Sequence, residues 1–255
     1  MTALQVDSAA LVDVLREARR PGATGMAFDA DGTLWSGDVG EDVFDVSTSR
    51  GLLRDEALPA LKELARTHGI DDDGTPAVVA KRIYDGYRRG DVAELTACEM
   101  MTWGYAGFTV DELRRHARAV FEERHLAARA RRMLAPVLDW AAREGVRVVV
   151  VSASPRIIVT EGLRAAGIAF AEMAGAEPEI AGGVIQPRMA GHLPYAGQKR
   201  VVGSRLLAGM DWLASFGDSA FDIEMLASAK VGVAVCPKPA LRARLPELVN
   251  PVLIE

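Results

Sequence analysis

Two aspartates set one residue apart, Asp29 and Asp31, end a short apolar approach, Met26-Ala27-Phe28, and are followed by Gly32-Thr33-Leu34. In an extended chain, side chains at i and i+2 point to the same side, so both carboxylates face one small volume. Like charges that close repel unless a cation or a shared proton relieves them. The stretch therefore reads as a divalent-metal site, a proton-transfer pair, or both, with a solvated Asx-rich turn as the plain alternative. Three further groups carry chemistry: Ser152 in a Ser-Ala-Ser run, Lys199 after Gly197-Gln198, and Asp218 with Asp222 in Gly217-Asp218-Ser219-Ala220-Phe221-Asp222.

The elements that must position them can be read from periodicity. Gly25 to Phe28 reads as a buried strand entering a tight loop. Val146 to Val151 is the most β-branched run in the chain, as in a strand covered on both faces. It enters Ser152-Ala153-Ser154-Pro155 and then a helix to Gly167, which makes either an anion cradle at a helix start or plain N-capping by serine. Leu213 to Phe216 leads into Asp218, Val231 to Val235 is a further strand, and Val252 to Ile254 a last one. Alternating strands and helices after Pro136 imply an α/β fold with a doubly wound parallel sheet. Open sheets of this kind bind ligands at the carboxyl ends of their strands.

From about Glu41 to Met133 helical patterns dominate instead. Leu58, Leu61 and Leu64 line one helix, Thr75-Pro76 opens another, and Thr109 with Glu112 matches a capping box. The expected organisation is a core of residues 1–40 and 134–255, with an all-helical insert, 41–133, over the end of the first strand. Ser8 to Arg20 reads as an amphipathic helix, and Gly182-Gly183 as the turn of a hairpin. Met100, Met101, Trp103 and Tyr105 read as core rather than as a substrate pocket. Asp71-Asp72-Asp73-Gly74 lacks the later ligands of a calcium loop and reads as solvated.

The chain has 255 residues, a formal net charge of −5 and a pI of about 5.5, the wrong sign for a nucleic-acid partner. Its densest basic run, Arg124 to Arg132, follows Glu122 and Glu123 and reads as a solvated helix face. Cys98 and Cys236 match no metal spacing and read as buried thiols of a reducing compartment. No long apolar run predicts a membrane span, and Met1 to Asp7 lacks the pattern of a signal peptide, so the expected location is cytoplasmic.

At one address, the strand ends, the set suits phosphoryl transfer. Several carboxylates collect a hard cation such as Mg²⁺, Ser152 and Lys199 offer donors to phosphoryl oxygens, and one aspartate can form an aspartyl phosphate. Phe28 to Leu34, Val151-Ser152-Ala153-Ser154, Lys199 and Gly217 to Asp222 resemble, in order, the four motifs of the haloacid dehalogenase superfamily. The Ser-Ala-Ser motif and the helical insert are similar to its phosphoserine phosphatase-like subfamily. The resemblance implies a Rossmann-like core with a helical cap. It makes Asp29 the nucleophile and Asp31 the acid and then base, with Ser152, Ala153 and Lys199 binding the phosphoryl group. Mg²⁺ would be held by Asp29, the Asp31 carbonyl oxygen and Asp218, with Asp222 behind them. Dehalogenases of the superfamily lack an aspartate at the position of Asp31, which points to the phosphatase branch.

The implied substrate is a small phosphorylated metabolite. Asp38 stands where the subfamily has an acidic residue for the substrate's amine, and Trp35 could lie against a cation; the plain alternatives are a hinge hydrogen bond for Asp38 and packing at the cap hinge for Trp35. Phosphoserine, phosphoethanolamine and phosphocholine are the expected candidates. The alternatives are a phosphotransferase or phosphomutase of the same superfamily, or a non-catalytic protein keeping the fold.

Overall fold

The structure, a computed structural model, describes residues 3–255, so that only Met1 and Thr2 of the amino-terminal segment fall outside it. In chain order, β1 (Leu4–Gln5) and α1 (Ser8–Ala18) precede β2 (Thr24–Phe28). Then come α2 (Val39–Ser49), α3 (Leu58–Thr67), α4 (Pro76–Arg89), α5 (Glu94–Trp103), α6 (Val110–Glu123), α7 (Leu126–Arg129) and α8 (Ala135–Arg143). After them run β3 (Arg147–Pro155), α9 (Arg156–Ala165), β4 (Glu172–Ala176), β5 (Pro178–Ala181), β6 (Val184–Met189) and α10 (Gly197–Leu206). The chain closes with β7 (Asp211–Gly217), α11 (Ile223–Ser228), β8 (Val231–Val235), α12 (Pro239–Arg244) and β9 (Val252–Ile254).

Seven strands form one parallel sheet in the order β1-β9-β8-β7-β2-β3-β4. Every residue of β2 and of β8 is buried, as near-continuous apolar runs require when helices cover both faces. β2 lies between β7 and β3, where the winding reverses, so its carboxyl end opens into the crevice that such sheets use for ligands. Phe28 and Phe216, paired across β2 and β7, stack with ring centroids 4.0 Å apart and fix the two strand ends side by side.

Among the described residues, the segment between β2 and β3 is helical, as its patterning predicts. Thr109 and Glu112 form the predicted capping box at α6. Thr75 sits at the N-cap of α4 but its side chain makes no capping bond; Pro76 at the first turn fixes the entry instead. Two boundaries differ from expectation. Helix α2 begins at Val39, two residues before the expected start of the helical insert at 41, because the Asp38 carboxylate accepts the Glu41 N–H at 2.8 Å. The β5–β6 hairpin, turned by Gly182 and Gly183, pairs with the chain between α5 and α6: Gly107 N donates to Ile185 O and Val110 N to Gly183 O.

The basic run from Arg124 to Arg132 is not simply a solvated face. Positive φ at His125 breaks the helix between α6 and α7. The returning chain then pairs with the first loop: Ser36 N donates to Arg129 O, and Arg131 N to Leu34 O. The Arg131 guanidinium reaches Gly32 O at 3.3 Å, and Arg129 pairs with Asp42. A second tie joins α6 to α9, where Glu161, 1% exposed, accepts Arg118 at 2.7 Å and Arg164 at 2.5 Å. Met100, Met101, Trp103 and Tyr105 are buried core, as expected. Asp71 and Asp72 pair with Arg82 and Arg66 on the surface. Cys98 and Cys236 are unpaired but half-buried rather than buried. No helix of the described residues is long and apolar enough to cross a membrane.

Candidate active site

Asp29 follows the last residue of β2, and its N–H is taken by Phe216 O at 2.9 Å, continuing the ladder one step into the loop. Asp29 is 4% exposed. Oδ1 accepts Lys199 Nζ at 2.6 Å and Oδ2 accepts the Thr33 hydroxyl at 3.0 Å. Lys199, also buried, lies in the first turn of α10 and donates to Asp222 Oδ1 at 2.5 Å. The other oxygen of Asp222 accepts the N–H groups of Asp218 at 3.2 Å and Ser219 at 2.9 Å, together with the Ser219 hydroxyl. Asp222 thus closes the turn after β7 and anchors the lysine. Residues 170 positions apart in the chain meet at hydrogen-bond distance.

Burial pushes the Asp29 carboxyl up to about 8 against the pull of Lys199, with Asp222 and Asp218 adding to the rise. Burial works against the Lys199 ammonium, but Asp222 and Asp29 outweigh it and hold it above its ordinary value. Burial likewise raises Asp218, opposed by Lys238. Carboxylate oxygens of Asp29, Asp218 and Asp222 all lie within 4.8 Å of one another. Gly32 makes this approach feasible. Its φ is +83°, and a Cβ there would lie 2.1 Å from Asp218 Oδ2. A crowded, buried oxygen set beside a backbone that only glycine allows so close fits a hard divalent cation.

Asp31 is held by three donors. Oδ1 accepts the Trp35 indole N–H at 2.9 Å and the Val39 N–H at 2.8 Å; Oδ2 accepts the Ser154 hydroxyl at 2.7 Å. Burial raises this carboxyl, and the three donors oppose the rise. Ser152 is 2% exposed, and its Oγ accepts the Ser154 N–H at 3.1 Å, which leaves its own hydroxyl hydrogen to point elsewhere. The register of β3 with β4 shifts between Val151 and Pro155, so Ser152, Ala153 and Ser154 leave the ladder at the strand's end.

The structure thus brings together Asp29, Asp31, Ser152, Ala153, Lys199, Asp218 and Asp222. Of the two readings of Trp35 the structure favours packing: its ring is fully buried against Gly162, with no face open to a substrate cation, and its indole N–H donates to Asp31. Asp38 caps α2 and remains half-buried near Asp31. Burial, then Asp31 and Glu41, push its carboxyl well up. Sequence reasoning missed Ser154 as the partner of Asp31, although it stands inside the quoted motif. It also missed Lys238, whose Nζ lies 3.0 Å from Asp218 Oδ2 and whose N–H is taken by Asp218 O at 2.8 Å. A lysine between two prolines just past β8 was the available signal.

The family model of haloacid dehalogenase-like hydrolases matches residues 26–227, from β2 to α11. The chain belongs to that family. The sequence matches no curated protein. A solved structure from Bordetella pertussis Tohama I, described as a protein of unknown function, is similar over 91% of this chain and 98% of its own, with 21% identity and a TM-score of 0.69. A probable phosphoserine phosphatase from Vibrio cholerae is similar over 90% of this chain and 61% of its own, with 15% identity and a TM-score of 0.55. Cytosolic 5'-nucleotidase IIIB bound to cytidine is similar over 96% and 86%, with 14% identity and a TM-score of 0.56. At these identities the likenesses establish a shared fold. The sequence expectation of a Rossmann-like hydrolase of this superfamily is borne out.

Proposed function

We propose that this hydrolase is a Mg²⁺-dependent phosphatase that cleaves a small phosphate monoester through an aspartyl phosphate on Asp29. The observation that carries the reading is the buried chain Asp29–Lys199–Asp222 at 2.6 and 2.5 Å, set beside Asp218, Asp31 and Ser152 at three adjacent strand ends. The phosphatase and nucleotidase names of two similar structures support it.

Asp29, the carbonyl oxygen of Asp31 and Asp218 would hold the cation. When bound, it supplies charge that lets an anionic phosphoryl group enter among carboxylates. Ser152, the Ala153 backbone and Lys199 orient and neutralise the phosphoryl oxygens. An Asp29 oxygen attacks phosphorus, the phosphorus–oxygen bond to the leaving alcohol breaks, and Asp31 gives that oxygen its proton. Water then attacks phosphorus while Asp31 takes its proton, and the bond to Asp29 breaks to release inorganic phosphate. In this reading the proton sits on Oδ2: Oδ1 accepts two fixed N–H groups, whereas the Ser154 hydroxyl facing Oδ2 can turn from donor to acceptor.

The helical insert, expected at residues 41–133, would act as the cap that excludes water, with Val39, just ahead of it at the start of α2, donating its N–H to Asp31. Asp38, crowded by Asp31 and Glu41, favours an amine-bearing ester such as phosphoserine, phosphoethanolamine or phosphocholine. A cytoplasmic setting suits such metabolites. Phosphate release from a panel of phosphorylated metabolites, with Mg²⁺ and with excess chelator, tests the reading. Metal-dependent release concentrated on one ester supports it; no release from any ester, an aryl phosphate included, contradicts it.

A further inference from the structure

The buried carboxylate of Glu161, on α9, takes no part in the proposed chemistry, and among the described residues its ion-pair partners are all arginines. Oε2 accepts Arg118 Nε at 2.7 Å and Oε1 accepts Arg164 Nη1 at 2.5 Å, with Arg114 Nε 3.9 Å from Oε1. Arg114 and Arg118 lie one turn apart on α6, in the expected insert, whereas Arg164 lies on α9 itself. A carboxylate so buried is costly without its partners, so α6 and α9 cannot slide past each other without stranding it. Such a pair adds little net stability over an apolar one; what it supplies here is register.

The next residue, Gly162, is where α9 meets the first loop. A Cβ there would lie 3.4 and 3.6 Å from two ring carbons of Trp35 and 3.5 Å from Leu126 Cδ2. Trp35 also bridges to Ala130, where the chain returns from α7. Its fully buried ring donates the indole N–H to Asp31 Oδ1 at 2.9 Å. Arg118, Glu161, Gly162, Trp35 and Asp31 are therefore joined, each to the next, by an ion pair, a peptide bond, van der Waals packing and a hydrogen bond. A close-packed interior transmits strain, so a shift of α9 is felt at the indole.

We propose that Glu161 is a positioning residue for Asp31: by fixing α9 against α6 it sets the seat of the Trp35 ring, and with it the direction of the indole N–H. The assignment rests on the phosphatase reading, with Asp31 as its acid.

Glu161→Gln keeps the side chain's size and removes its charge. Expected with Mg²⁺ is a loss of about three- to tenfold in kcat on an alkyl phosphate, with the burst of leaving-group release from an aryl phosphate nearly unchanged. A double-mutant cycle decides whether the effect runs through Trp35. In Trp35→Phe, which already lacks the donor, Glu161→Gln should slow the alkyl ester by less than about twofold more. One readout needs no turnover: the Trp35 indole N–H, identified by NMR as the cross-peak lost in Trp35→Phe, should shift or exchange faster in Glu161→Gln. Arg118→Met should act like Glu161→Gln, with Arg118→Lys recovering part of the loss, and this pair carries the same cycle if Glu161→Gln does not fold. No loss on the alkyl ester, equal losses on both esters, losses that multiply with that of Trp35→Phe, or an unmoved indole cross-peak would make Glu161 a tie of the fold alone and overturn the proposal. Aryl phosphate turnover by the wild type would leave the phosphatase reading standing in each of those cases. Its failure overturns that reading, and this assignment with it.

Discussion

The indole N–H of Trp35 donates to Asp31 Oδ1 at 2.9 Å from a ring with no solvent exposure. They stand four positions apart in the chain, and the ring is wedged against Gly162 of α9, where a Cβ would lie 3.4 Å from the indole edge. The packing of a core helix thereby fixes the orientation of the proposed acid. Trp35→Phe keeps most of the volume and removes the donor. A hydrogen bond to a charged group is worth about 1.5–3 kcal/mol, so an alkyl phosphate should lose about tenfold or more in kcat. An aryl phosphate, whose leaving group needs little protonation, should lose far less in its first step, the burst of leaving-group release. Equal losses in that step on both esters would remove Trp35 as a positioning residue.

Asp31→Asn removes the transferable proton itself. Alkyl phosphates should slow by about 100-fold or more, within the range of general acid–base catalysis, and the aryl ester should be spared in its first step. Burst kinetics with the aryl ester would show this as fast leaving-group release followed by slow release of phosphate. A variant that slows both steps on both esters equally would contradict the assigned role.

Gly32→Ala tests the close approach to Asp218. The added methyl would overlap Asp218 Oδ2 at a position whose φ of +83° already disfavours an L side chain by about 1–2 kcal/mol. The account expects loss of nearly all metal-dependent activity and a weaker rise of Tm with Mg²⁺. Retention of wild-type metal response would show that this backbone can give way.

The raised carboxyls make metal binding pH-dependent with a definite sign. Asp29 is displaced upward to about 8 from 3.8, with burial the main cause, and Asp218 is displaced in the same direction. A carboxyl whose folded value is raised weakens the metal-free fold as pH rises above the unfolded value, and increasingly so up to the folded one. A cation binds the ionised form and offsets that loss. The Mg²⁺-induced increase in Tm should therefore be larger at pH 8 than at pH 5.5. An increase that shrinks over this interval would contradict the metal assignment.

Much of this was legible before the structure. The strand ends carrying Asp29, Ser152 and Asp218 follow from apolar runs broken by glycine and small polar residues, and β8 and β9 lie on the predicted residues. Strand β4, Glu172-Met173-Ala174-Gly175-Ala176, was not legible, because its small residues carry no alternation; pairing with β3 creates it. Trp35 stayed open between a ligand platform and packing because sequence places it beside the site without revealing α9 behind it. Arg129 and Arg131 looked solvated because their acceptors, Asp42 and Gly32 O, lie nearly 90 or more residues earlier.

The central claim is that Asp29 forms a covalent phosphoryl bond, and acid-quenching the enzyme during turnover of an aryl phosphate with Mg²⁺ tests it most directly. Peptide mapping should find a phosphoryl group on the Asp29 carboxylate in the wild type and in Asp31→Asn, where slowed hydrolysis should raise its occupancy, and none in Asp29→Asn. Rapid turnover with no phosphorylated Asp29 in either enzyme, or undiminished turnover by Asp29→Asn, would contradict the account.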